Sequence, residues 1–149
     1  MNKRELELLI RHGEPISGLD LSGADLSGVD LGGAIMEKVS FRGANLSGAR
    51  LKESVLFACH FDGANVSDSD LSFAVMQRCG FVGANLEKAN LTKFKFMDGD
   101  ARGARAAGAN LLSATLAESD LSEVDLSGCD LEYTNIVTSI TTGMKLDGA

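Results

Sequence analysis

Large apolar residues fall at every fifth position from Ile16 to Ile136. The series opens Ile16, Leu21, Leu26, Leu31, Met36, Phe41 and closes Leu111, Leu116, Leu121, Leu126, Leu131, Ile136; only Ala101 and Ala106 within it are small. From Leu19 to Thr134, the residue two before each large one is a small side chain (Ala, Ser, Cys, Gly, Thr or Val), with Leu19 and Phe94 as the bulkier exceptions. A straight strand alternates its side chains between two faces, so an odd repeat sends successive large residues to opposite sides. A straight α-helix fails as well, because a five-residue step rotates by roughly 140° and spreads the series around the cylinder. A chain that turns once per repeat satisfies the pattern. The small and the large residue, two apart, then lie on one side of a short extended segment. The corner falls just beyond the large residue, where Gly23, Gly28, Gly33, Gly43, Gly48, Gly63 and Gly83 recur.

A slower beat is superimposed. Gly-Ala-Asn begins at Gly43, Gly63 and Gly83. Four turning segments close a square coil of twenty residues, so residues twenty apart stack. Phe41, Phe61 and Phe81 predict one inner column, and Asn45, Asn65 and Asn85 predict an amide ladder outside. With a rise of about 4.8 Å per coil, roughly six coils give a rod on the order of 30 Å long.

The runs ADLSG (24–28), ANLSG (44–48), ANLEK (84–88) and ANLLS (109–113) resemble the A(D/N)LXX signature of pentapeptide repeat proteins. The resemblance implies an all-β fold, the right-handed quadrilateral β-helix of that family; the handedness is implied by the resemblance and not by the spacing. The predicted organisation is a capping helix and turn over 1–15, the β-helix over 16–136, and a tail or partial last coil over 137–149. Within the β-helix, Phe94 occupies a small position just before Phe96, and Gly99, Ala101, Ala104 and Ala106 follow. An exchange of volume between neighbouring coils accounts for this without any pocket.

The first residues do not count in fives. Asn2 and Glu5 have capping-box spacing, Met1 is placed to staple onto Leu6, and Leu6, Leu9 and Ile10 form one apolar face. Gly13 and Pro15 end that helix, which predicts a lid for the first coil. At the other end Thr141 breaks the large series, with Met144 and Leu146 able to restart it, so the last coil is either weakly capped or covered by another molecule.

Composition narrows the function. The formal net charge is −7, and a binder of nucleic acid would carry a basic stripe, so direct contact with nucleic acid is not expected. No apolar run reaches the length of a membrane span and no leader is recognisable, which predicts a cytoplasmic protein, with leaderless secretion left open. Cys59, Cys79 and Cys129 lack metal-ligand spacing and occupy small inward positions, where inert buried thiols are expected. His12 and His60 are the only histidines, and no nucleophile, base or phosphate loop is arranged around them. Asp20, Asp25, Asp30, Asp70, Asp120, Asp125 and Asp130, each preceding a large residue, read as solvated wall positions. No catalytic residue, cofactor or metal is expected.

Three functions fit. The first is a non-catalytic protein-protein interaction scaffold. The second is implied by the family resemblance, since some relatives imitate duplex DNA in size and charge and protect DNA gyrase from quinolones. The third is a secreted bacterial effector or envelope-associated scaffold. The charge distribution weighs against mimicry: residues 16–35 and 111–136 contain acids and no bases, whereas residues 41–110 contain more bases than acids. One wall stands apart. On three sides the residue before the large one is mostly polar; on the fourth it reads Ile35, Val55, Val75. Phe57 and Met97 lie on the same wall and Phe73 at its corner. This patch is the candidate interface for a protein partner or a second copy of the chain, with the C-terminal end as the competing site for self-association.

Overall fold

A computed structural model describes Met1–Ala149. It is a single-layer coil of four walls around one apolar core, with one helix at its start. The helix α1 spans Lys3–Arg11. The strands β1 (Ile16–Ser17), β2 (Ile35–Glu37), β3 (Val55–Phe57), β4 (Val75–Gln77), β5 (Lys95–Met97), β6 (Thr115–Ala117) and β7 (Asn135–Val137) form one parallel sheet in chain order. Each pairs with the next at an offset of twenty, as in Met36↔Leu56 and Leu56↔Met76. The other three walls are joined by single bridges with the same offset, such as Ser40↔His60, Asn45↔Asn65 and Arg50↔Asp70. This is the quadrilateral β-helix that the repeat implies.

The corners explain the period. A positive φ recurs at every fifth residue from Gly13 to Gly148, on glycine and non-glycine alike. On three of the four sides the corner is a turn closed on itself, as where the Ala24 N–H donates to the Leu21 carbonyl at 3.2 Å and the Ala44 N–H to Phe41 at 3.0 Å. The Asp or Asn before the large residue completes it. Its side-chain oxygen accepts the N–H two residues on: Ser22 to Asp20 at 3.0 Å, Ser47 to Asn45 at 3.1 Å, Thr92 to Asn90 at 3.1 Å. These carboxyls and amides are therefore turn-closing groups and not merely solvated ones, a correction to the sequence reading with a definite cause: an Asx side chain mimics a backbone acceptor.

Inside, Phe41, Phe61 and Phe81 stack with ring centroids 4.8 Å apart at each step. Buried hydroxyls among the small residues are satisfied by carbonyls, Ser54 by Leu51 at 2.7 Å and Ser69 by Val66 at 2.6 Å. The next residue in this column is Ala101, and the Phe96 ring, from the column of Met36, Leu56 and Met76, stands beside it. The Phe96 ring meets Phe81 edge-on, with centroids 5.8 Å apart, and lies beside Phe94 at 6.1 Å. The exchange of volume expected there is incomplete. Phe81, Phe96, Ala101, Ala106, Leu111 and Leu126 are among the residues lining an apolar cavity of about 50 Å³. Three consecutive alanines on the inner face (Ala101, Ala104, Ala106) remove more volume than the two phenylalanines restore.

The helix carries both halves of the capping box, with Glu5 N–H donating to Asn2 at 2.9 Å and Asn2 N–H to Glu5 at 3.0 Å. Leu6 is buried, and Leu9 and Ile10 pack on the core. Met1, expected over Leu6, is exposed beside Leu9, Pro15 and Ile16. Lys3 donates to the Ser27 carbonyl at 2.8 Å, and the Asp30 N–H donates to Glu7 at 3.0 Å, tying the helix to the first coil. At the other end residues 137–149 continue the coil: Ile140 bridges to Asp120 and Lys145 to Asp125. Thr141 takes the large position and is exposed, as is Leu146.

Candidate functional site

The wall built by β2 to β5 differs from the other three in its backbone. Its corners, at Lys38, Ala58, Arg78 and Asp98, lack the self-closing turn bond and are held only to the following coil, as by the Lys38 N–H to the Phe57 carbonyl at 2.9 Å. The wall consequently forms three-residue strands where the others form single bridges. No Asx side chain is required before its large residue. That freedom accounts in part for Ile35, Val55 and Val75, because β-branched side chains suit a strand surface.

The six candidate residues are brought to one face, unevenly. Ile35, Val55 and Val75 are direct neighbours in the ladder, and its next rung is Lys95. Ile35 is 54% exposed and Val55 48%, while Val75 is half-buried. Phe57 lies in the next column with Glu37 below it and Gln77 above. Met97 follows Gln77 in that column, so it does not touch Phe57 directly. Both are half-buried.

Phe73 is the informative residue. It stands at the corner where the chain enters β4, with φ at 61° and 46% of its surface exposed. The equivalent corners are held at positive φ by Gly33, Glu53, Lys93, Ser113 and Tyr133, so the conformation belongs to the corner and not to Phe73 alone. The ring contributes nothing to the core. An exposed aromatic ring that gains nothing from the core is free to make contacts outside the fold.

The aromatic rings are covered by cations. Lys52 and Lys93 place their ammonium groups 6.0 and 5.2 Å from the Phe73 centroid, and the Arg78 guanidinium is 5.6 Å from Phe57. The sequence reading missed this frame of charge. The signal was present, since Lys93 is twenty residues after Phe73 and Lys52 and Arg78 precede or follow their rings by one more than a coil.

Elsewhere some titratable groups are engaged with each other. On the wall after the candidate face, Asp62 accepts the Val82 N–H at 3.0 Å and pairs with Arg42 at 3.3 Å, with His60 Nδ1 3.8 Å away. No three His, Cys, Asp or Glu side chains converge on a point that would hold a metal ion. Cys59, Cys79 and Cys129 are buried free thiols. The hydrogen bond to Cys59, with burial, pushes the Cys79 thiol far up, and burial pushes Cys129 up. Hydrogen bonds from Ser22, Ser27 and Ser127 hold Asp20, Asp25 and Asp125 below the ordinary carboxylate range, as Arg102 holds Asp100. No helix is long and apolar enough to cross a membrane.

A family model for pentapeptide repeats matches residues 20–56, 54–92 and 95–132, with 8 copies of the repeat. A pentapeptide repeat protein from the thylakoid lumen of Arabidopsis thaliana is 26% identical, with a TM-score of 0.62 over 70% of each chain. Full-length QnrB1, a plasmid-mediated fluoroquinolone resistance protein, is 17% identical, with a TM-score of 0.47 over 90% of this chain and 89% of that one. A pentapeptide repeat protein from the cyanobacterium Cyanothece 51142 is 20% identical, with a TM-score of 0.42 over 98% of this chain and all of that one. No protein of curated function matches.

Proposed function

The chain belongs to the pentapeptide repeat family, and from that premise we propose that it is a non-catalytic scaffold that binds a protein partner through the wall carrying Ile35, Val55, Val75 and Phe57. The observation that carries this reading is the contiguous ladder of Ile35, Val55 and Val75, two of them exposed, with the exposed aromatic ring of Phe73 at its corner. Scattered surface hydrophobes need no explanation, but contiguous ones on a rigid face favour association. The rod supplies that rigidity, because each coil is held to both neighbours by parallel bridges. Phe57 is the anchor, being an aromatic side chain near the middle of the patch with part of its ring already sheltered.

Duplex mimicry has weaker support. Arg42, Arg50, Lys52, Arg78, Lys93 and Lys95 lie in the middle coils, where an imitation of duplex DNA requires an uninterrupted negative surface.

The test is affinity capture from the source cell with the parent chain and with Phe57→Asp combined with Val75→Asp. The reading expects a protein retained by the parent and lost with the double variant, while the circular dichroism of the two chains coincides. Retention of the same proteins by both chains would overturn it. A gyrase supercoiling assay with quinolone separates the mimicry reading, which alone expects protection.

A further inference from the structure

We infer that the partner element fitting this wall is an acidic amphipathic α-helix lying along the rod axis; the inference rests on the wall being the docking face. Two features of the wall select it. The first is charge. Arg78, Lys93 and Lys95 border Phe57, Phe73 and Val75, and none of the three forms an ion pair with a carboxylate of the chain. Elsewhere on the wall the cations are matched internally, Lys38 with Glu37 at 3.1 Å and Lys52 with Glu53 at 4.0 Å. In a chain with net charge −7, three unmatched cations around the most exposed apolar column call for carboxylates from outside. Arg78 and Lys93 sit over aromatic faces, so these two are held in place before any partner arrives.

The second feature is spacing. Stacked coils repeat at the 4.8 Å seen between the rings of Phe41 and Phe61. Side chains one turn apart on a helix recur at about 5.4 Å, so from Ile35 to Val75, two steps, a helix slips by only about 1.2 Å against the ladder. An extended strand laid along the same axis presents same-face side chains about 6.8 Å apart and slips by about 4 Å over the same distance. Around Ile35, Val55 and Val75 the wall has no open sheet edge for a strand to extend, because β2, β3 and β4 are each paired on both sides; the free edge of β7 lies at the far end of the rod. A helix with apolar residues one turn apart and glutamates on its flanks sets its ridge on Ile35, Val55 and Val75. Its carboxylates then reach Arg78, Lys93 and Lys95.

The experiment uses the full chain and three labelled peptides of about six helical turns: one with Leu at turn spacing and Glu between, the same peptide with Lys for Glu, and the first with a central proline. Fluorescence anisotropy should show binding of the acidic helix alone, weakened by added salt. Arg78→Glu with Lys93→Glu should weaken it by about tenfold or more and let the Lys peptide bind instead. Both positions are exposed and already hold non-glycine residues at positive φ, so the fold should be kept; Lys95→Glu, on the strand face, is an independent variant expected to act in the same direction. Equal binding of the acidic and basic peptides, undiminished binding of the proline peptide, or no binding of the acidic helix would overturn the inference. Loss of partner capture by Phe57→Asp with Val75→Asp would in that case still uphold the wall as the docking face.

Discussion

Gly99 is the residue that lets the Phe96 ring turn. A Cβ at Gly99 would overlap the edge of that ring and come within 2.8 Å of the Cys79 carbonyl oxygen. Gly23 presents the opposite case: its φ is 68°, and a Cβ there would meet nothing within 4 Å. The two glycines are thus required for different reasons, one for room and one for backbone conformation. Gly99→Ala should lower stability by about 2–3 kcal/mol through overpacking. Gly23→Ala should lower it by about 1 kcal/mol through the left-handed corner alone. Urea titration of both variants measures the difference, and equal losses would contradict the assignment.

Filling the cavity should help. Ala106 stands in the column of Leu26, Leu46, Val66, Leu86 and Leu126, and it lines the void. Ala106→Val restores a side chain that the same column accepts, fully buried, at Val66. A gain of about 1 kcal/mol is expected from two added methyl groups after some repacking. Ala64→Val, in the tightly filled coil of Phe61, should instead destabilise. Phe96→Ala, enlarging the void, should cost about 3–5 kcal/mol.

The turn-closing role of the wall carboxyls has its own signature. Asp70 accepts both the N–H and the hydroxyl of Ser72, at 2.9 and 2.6 Å. Asp70→Ala should cost about 0.5–1.5 kcal/mol, while Asp70→Asn, which keeps the acceptor, should cost less. Thermal melts of the two variants at neutral pH distinguish this role from simple solvation, which predicts no difference.

Acid should weaken the fold in a defined window. The carboxyls of Asp20, Asp25 and Asp125 are held below their ordinary range by hydrogen bonds from the serine two residues on. A depressed folded-state value means the stabilisation is complete above the unfolded-state value, near pH 4, and is lost as pH falls below it. The melting temperature should therefore be flat from neutrality to about pH 5 and fall below about pH 4. Replacing the three with Asn, the residue found at Asn45, Asn65 and Asn85 on the same wall as Asp25, should flatten that acid limb.

Native thiol labelling at mildly alkaline pH should be slow at Cys59, Cys79 and Cys129 and fast in denaturant. All three are buried, and Cys79 and Cys129 are pushed toward the unreactive protonated form. Rapid labelling of Cys79 in the folded protein would be incompatible with its inward position between coils.

The coil was legible because its constraint is one-dimensional: each residue from Ile16 to Ile136 reports its own position within a repeat. What depends on the joining of separate coils was harder to read. Thr141 interrupts the apolar series, yet Gly143 keeps its φ of 71° and Lys145 its bridge to Asp125, since the backbone ladder does not require an apolar side chain in the middle. Asp25 and Asn45 showed a preference whose cause, the N–H two residues on, emerges only when the corner is closed. The size of the void beside Phe96 depends on side chains from three coils at once. In the candidate wall, Val55 and Val75 could be stacked by counting, but the cations over Phe57 and Phe73 come from different coils and approach the rings across corners.

The unbroken recurrence of positive φ from Gly13 to Gly148 also governs how such a molecule can change size. Gaining or losing a few residues would wind everything downstream out of step with everything upstream. A change of five would preserve the core and yet swing the later coils a quarter-turn, carrying Val75 to a different compass bearing from Val55. Only a change of twenty leaves every outward mark facing where it faced before. The rod therefore grows and shrinks by whole storeys, through duplication or deletion of a complete floor, and a binding face on one side survives such changes with its bearing intact.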